Sequence, residues 1–226
     1  MVLTMRRLYH IWLDPQCRKV RLVLAEKNLD VELKVEMVWE RREPFMKLNP
    51  AGEVPVLIEP EKLILADGNA IAEYLDEEYP DNPLLGETSD ERAEVRRLNG
   101  WFDHKFNNEV TKHLITEKVM KRFLKMGQPQ SEAIRAALYN LRTHLDYIGY
   151  LAERRNYLAG ASLTMADLTA AAHLSIVDYL GDISWDDYKA AKHWYMQVKS
   201  RKSFRPLLED RIAGMPPAPH YNKLDF

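Results

Sequence analysis

The sequence predicts an α/β domain followed by an all-α domain, and three observations point to that division. Residues up to about Tyr79 alternate strand-like and helix-like patterns, whereas from Asp90 onward the apolar residues recur at helical spacing. Pro80-Asp81-Asn82-Pro83 punctuates the junction, because closely spaced prolines with Asp and Asn interrupt regular structure. Leu163-Thr164-Met165-Ala166-Asp167-Leu168 has the spacing of a helix capping box and opens a second long apolar run. The expected organisation is an α/β domain over 1–80, a linker over 81–89, a helical domain over 90–213 and a Pro-rich tail over 214–226.

The elements follow in order. Leu8 to Arg21 reads as a short strand, a turn opened by Pro15, and a helix that runs to about Asn28; Pro suits the first helical position, where its missing N–H would be unpaired anyway. Val20, Leu22, Val23 and Leu24 are too dense for an exposed helix, so this one is buried against a sheet. Val31 to Met37 is a second strand. Val95, Leu98, Trp101, Phe102 and Phe106 mark one helical stripe and Leu138, Leu141, Leu145, Ile148 and Leu151 another, with Gly127-Gln128-Pro129 between them. In the capping box the Thr164 hydroxyl faces the N3 amide and Asp167 reaches back, while Leu163 and Leu168 hold the staple positions. Leu168 to Leu180 is apolar almost all round and is the central helix. A helix over Trp185 to Lys199 and a short one near Phe204 to Leu208 complete the set.

Composition excludes several function classes. The net charge of −2 exerts no pull on nucleic acid or membrane. A single cysteine rules out an internal disulfide and favours an intracellular setting. Met1 to Arg7 lacks the apolar core of a signal peptide, and no run reaches the ~20 apolar residues that span a bilayer, so a soluble cytoplasmic protein is expected. The histidines are scattered without zinc spacing, and phosphate-loop, nucleophile-elbow and dinucleotide motifs are missing, so no metal is expected.

Asn49-Pro50-Ala51-Gly52-Glu53-Val54-Pro55-Val56-Leu57-Ile58, followed by Leu63 to Leu75 with Asp67-Gly68 inside it, resembles the thioredoxin-like half of a cytosolic glutathione transferase. The Thr164 capping box matches that family's helical half. The resemblance implies a cis Val54-Pro55 bond whose Val backbone would face a glutathione cysteinyl group, and a thiol-activating donor at the position of Asp14. An ionised Asp accepts hydrogen bonds and cannot donate. A carboxylate ~4 Å from a thiolate repels it by roughly 1 to 4 kcal/mol, depending on the local dielectric. Asp14 is therefore read as the cap of the Pro15 helix. Cys17, near that helix start beside Arg18 and Lys19, is the one other thiol candidate, with a small packed residue as its plain structural reading.

Family members place Glu-Ser or Gln-Ser where Asp67-Gly68 stands here, the Ser hydroxyl meeting the glutamyl carboxylate. Losing such a bond to a charged group costs roughly 1.5 to 3 kcal/mol, or about 10- to 150-fold in affinity. Val54, Pro55, Asp67 and Gly68 thus form a vestigial glutathione site with at most weak residual binding, and no cofactor is expected.

Two surface features remain. Lys112, Lys118, Lys121, Arg122 and Lys125 make a basic stretch interleaved with apolar residues, either a solvated helix face or a partner surface. The tail carries Tyr221, Leu224, Asp225 and Phe226 behind stiffening prolines, and such a terminal apolar cluster either packs back or anchors a partner. Together with Cys17-Arg18-Lys19-Val20-Arg21, Val38-Trp39-Glu40-Arg41-Arg42 and Leu145-Asp146-Tyr147, these resemble the FtsZ-associated, transferase-like subgroup of bacterial cell-division proteins. That resemblance implies a non-catalytic homodimer that binds FtsZ filaments, bundles or curves them, and is recruited from the cytoplasm to the division site. Lys118, Arg122 and Lys125 would steer the acidic partner, Tyr221 and Leu224 to Phe226 would anchor it, and Trp39 is either a further contact or a packed loop or dimer-contact residue. The alternative is an active transferase that conjugates glutathione to an unidentified electrophile, with a stress- or transcription-associated adaptor as a third reading.

Overall fold

In β1 (Arg7–His10) successive side chains point to opposite faces of the sheet, so Leu8 meets the main core with Val20, Val23 and Ile71 while Tyr9 meets Phe45, Val56 and Ile58. A computed structural model describes residues 5–61 and 63–224. After β1 come α1 (Pro15–Glu26), β2 (Glu32–Val35), α2 (Glu43–Leu48), β3 (Val56–Ile58), β4 (Ile64–Ala66) and α3 (Gly68–Glu78). The sheet order is β2-β1-β3-β4, with β1 parallel to β2 and antiparallel to β3, and β3 antiparallel to β4. This mixed sheet is the expected thioredoxin-like arrangement, and the expected second strand is trimmed to β2.

The helical half starts with one continuous helix over 89–123, α4, capped by Thr88, whose hydroxyl accepts the Glu91 amide. Its middle widens: the Lys112 amide bonds the carbonyl of Asn107, five residues back, rather than four. Next come α5 (Ser131–Ala152), α6 (Met165–Leu180), α7 (Lys189–Lys199) and α8 (Arg205–Leu208). Every residue of α6 from Met165 to Tyr179 is buried, as its all-round apolar pattern predicts. Asp167 reaches back to the Thr164 amide at 2.9 Å and also takes the Leu158 amide and the Trp194 indole N–H, so one carboxylate ties the α6 start to two other segments. α1 is held between α3 and α6, which joins the sheet to the helical half through one hydrophobic core.

The expected single helix over Trp185 to Lys199 is a correction. Trp185–Asp187 forms a separate short turn before α7. Ten residues of continuous helix would separate Trp185 and Tyr195 by ~15 Å along the axis. Their rings instead stack with centroids 4.9 Å apart, and Asp178 accepts the Trp185 indole N–H at 2.8 Å, so tertiary packing overrides helical propensity here.

Candidate functional site

The β1–α1 turn places Asp14 as the N-cap of α1, its Oδ1 accepting the Cys17 amide at 2.7 Å. Burial raises the pKa of this half-buried carboxyl. Cys17 is fully buried on the inner face of α1; burial pushes its thiol well above the ordinary range, and the Asp14 carboxylate adds to that. Neither residue is equipped to hold or form a thiolate. The Val54-Pro55 bond is cis, as the resemblance implies.

At the start of α3, Asp67 turns its own carboxylate onto the first amides, accepting from Asn69 at 2.8 Å and Ala70 at 3.0 Å. Those are donors that an incoming anion would need. The missing side chain of Gly68 leaves room for Gln16. A Cβ there would lie 2.2 Å from the side-chain oxygen of Gln16 and 3.0 Å from its Cβ. Gln16 thus lies across the α3 N-terminus and donates to Asp103 at 2.7 Å. Beside it the Lys19 ammonium donates to Asn69 at 2.8 Å and to Asp103 at 2.7 Å. Burial alone would raise the Asp103 carboxyl, but His173 and Lys19 outweigh it and hold it below the usual carboxylate range. His173 closes the group, 2.9 Å from the Thr111 hydroxyl and 3.5 Å from Asp103. The space between the α1 and α3 N-termini is therefore filled by the chain's own side chains. Gln16, Lys19, Asn69 and Asp103 were missed by sequence reasoning; the available signal was a lysine on the apolar face of α1.

A second constellation ties the tail to α1. The buried Arg18 guanidinium donates to the Trp12 carbonyl and Ser175 hydroxyl at 2.7 Å, to the Tyr221 hydroxyl at 3.1 Å and to Asp210 at 3.1 Å. Arg21 grips both Asp210 oxygens, at 2.9 and 2.8 Å. Tyr221 has no exposed surface, and its hydroxyl donates onward to the Leu207 carbonyl at 3.0 Å. Upstream, the Ala218 amide bonds the Tyr179 carbonyl at 2.9 Å, and the Tyr179 hydroxyl donates to the Met215 carbonyl at 2.7 Å. Tyr221 is thus a correction: it anchors the tail inward, in a cluster with Leu13, Val119, Ile176 and Tyr179, and offers a partner nothing.

The remaining surface candidates separate by accessibility. Trp39 is half-buried on the short Val38–Glu40 turn. Lys118 is half-buried and ion-paired with Asp182. Lys121 pairs with Glu117 at 2.6 Å. Arg122 and Lys125 are exposed, and no ion pair among the described residues occupies them. Arg122 also reaches the tail: its guanidinium would lie 3.8 Å from a Cβ on Gly214, so the basic stretch and the tail root share one surface. Leu224 is 42% exposed, whereas Asp225 and Phe226 lie outside the described residues. Among the described residues no acid, His or Cys cluster could hold a metal, and no helix is long and apolar enough to cross a membrane.

Residues 8–83 match the family model for the glutathione S-transferase N-terminal domain. FtsZ-localized protein A of Caulobacter vibrioides is 49% identical over 225 residues, covering 98% of each chain. A crystal structure of a glutathione S-transferase from Rhodospirillum rubrum superposes with a TM-score of 0.97 at 55% identity, over 98% of this chain and 100% of that one. The structure of FzlA from C. crescentus superposes with a TM-score of 0.96 at 48% identity, over 99% and 100% of the two chains.

Proposed function

This chain belongs to the glutathione S-transferase family, and from that premise we propose that it is a non-catalytic member, a homodimer that binds FtsZ filaments and alters their bundling or curvature during constriction. One observation carries the loss of catalysis: Gln16 occupies the space over Gly68 where a hydroxyl would meet glutathione, beside a capping carboxylate at Asp14 and a buried, neutral Cys17. The choice of FtsZ rests on the 49% identity to FtsZ-localized protein A, which spans both chains almost end to end. A homodimer presents two copies of one surface, so modest contacts gain through effective concentration when both engage one filament system. Trp39, Arg122, Lys125 and Leu224 to Phe226 supply the contacts, and the protein works in the cytoplasm at the division site. No cofactor takes part.

A second reading is favoured by one observation, the 55% identity to the R. rubrum glutathione S-transferase. It makes this chain an active transferase. Both are tested on one sample: co-pelleting with GTP-assembled FtsZ, electron microscopy of the filaments, and conjugation of glutathione to chlorodinitrobenzene. Pelleting with altered bundling and no conjugation supports the first reading. Turnover without pelleting overturns it in favour of the second.

A further inference from the structure

The tip of α4, residues 120–127, combines features that a merely capped helix does not need. Phe123 and Met126 are 44% and 62% exposed on one turn. Single exposed apolar side chains are ordinary, but here two large ones flank the free cations Arg122 and Lys125. Helix-dipole stabilisation accounts for basic residues in a last turn. It does not account for the exposed Phe123 and Met126 beside them.

The backbone adds an independent observation. α4 ends with the Met126 amide bonded to the Lys121 carbonyl at 2.9 Å, and Lys125 takes the left-handed conformation at φ 52°. That position strongly favours glycine, because a Cβ is strained there. Glycine follows only two residues later, at Gly127, where no described residue stands within 4 Å of a Cβ. A charged side chain is thus kept where helix capping alone would select none. Neighbouring acids are already engaged, Glu117 by Lys121 and Asp182 by Lys118, so the tip faces outward with uncompensated positive charge beside apolar surface.

We propose that this tip docks an acidic polypeptide segment bearing a large apolar side chain, the apolar group seated on Phe123 and Met126 and the acids on Arg122 and Lys125. Resting on the reading above, this is the chemistry of the FtsZ element that the protein grips. Two free cations are too few for a phosphate backbone, which is held by many simultaneous charge contacts.

The test uses the full-length protein and a random Glu-Tyr copolymer, with poly-Glu and poly-uridylate as comparisons, alongside FtsZ co-pelleting. Three variants are compared, Phe123→Ser with Met126→Ser, Arg122→Glu with Lys125→Glu, and Lys125→Gly. The wild type is expected to bind the Glu-Tyr copolymer more tightly than either comparison polymer. Each double variant should weaken that binding about tenfold, the size of a well-placed interface contact, with an unchanged circular dichroism spectrum. Lys125→Gly discriminates most sharply: the cap improves, so thermal stability rises, yet copolymer binding falls. Equal binding by all variants, or preference for poly-uridylate, overturns the proposal. If FtsZ pellets equally with wild type and double variants, the tip proposal fails while the FtsZ reading stands. If the wild type binds the copolymer but does not pellet with FtsZ, the FtsZ reading fails and the tip's chemistry holds.

Discussion

The tail clasp and the α4 tip are both built from arginines, lysines and large apolar side chains, yet they are opposite in electrostatic accounting. At the clasp every cation is met: Arg18 by Trp12, Ser175, Tyr221 and Asp210, and Arg21 by Asp210 and the Pro206 carbonyl. At the tip Arg122 and Lys125 meet no anion among the described residues, and Phe123 and Met126 stay in water. Composition does not separate a structural cluster from a recognition surface. What separates them is whether the fold already supplies the partners, since a buried charge without one is too costly to keep.

The sharpest way to break this contrast is to remove the anion of the clasp. Asp210→Ala leaves Arg18 and Arg21 buried without a counter-charge and is expected to cost about 3 to 5 kcal/mol in urea unfolding. A cost under ~1 kcal/mol would show the clasp to be no more structural than the tip.

Acid strikes the clasp from its edge. His10 is fully buried; burial, then the neighbouring Arg21 charge, lowers its imidazole from 6.5 to about 4. The unfolded chain therefore takes up this proton first, and native stability falls as pH drops through the window from 6.5 to 4. The loss attributable to this group is on the order of 3 kcal/mol. Replacing His10→Phe should flatten the stability profile across that window, and an unchanged slope would assign the effect to other groups.

Smaller effects sharpen the comparison further. Tyr221→Phe removes a hydrogen bond to a buried guanidinium and should cost roughly 1.5 to 3 kcal/mol while leaving FtsZ pelleting intact, since the ring faces inward. Arg122→Ala should do the reverse, shifting stability by no more than ~0.5 kcal/mol while weakening pelleting. If both variants lost stability alone, the tip would have no recognition role.

Much of this was legible in the sequence for local reasons. The Asp14 cap, the Thr164-Asp167 box and the buried run of α6 each depend on residues within a few positions of one another, and periodicity reports that directly. Lys118 shows where legibility stops. Its spacing put it on a basic face, but its ion pair is with Asp182, 64 residues away, and no pattern within α4 encodes that meeting. The break before α7 has the same origin, because Trp185 answers to Asp178 and Tyr195 rather than to its neighbours.

By itself the sequence determined the two-part architecture, the loss of a donor at Asp14 and of a hydroxyl at Gly68, and the presence of a basic stretch and an apolar tail end. These are statements about which groups exist and how they recur along the chain. Only the tertiary structure decided that Gln16 fills the space over Gly68, that Tyr221 turns inward to Arg18 across 203 positions, and that Lys118 and Lys121 are ion-paired while Arg122 and Lys125 are left exposed at the helix tip. The physical reason is that a polar group's role depends on which partners surround it, and those partners arrive from distant segments only when the core closes.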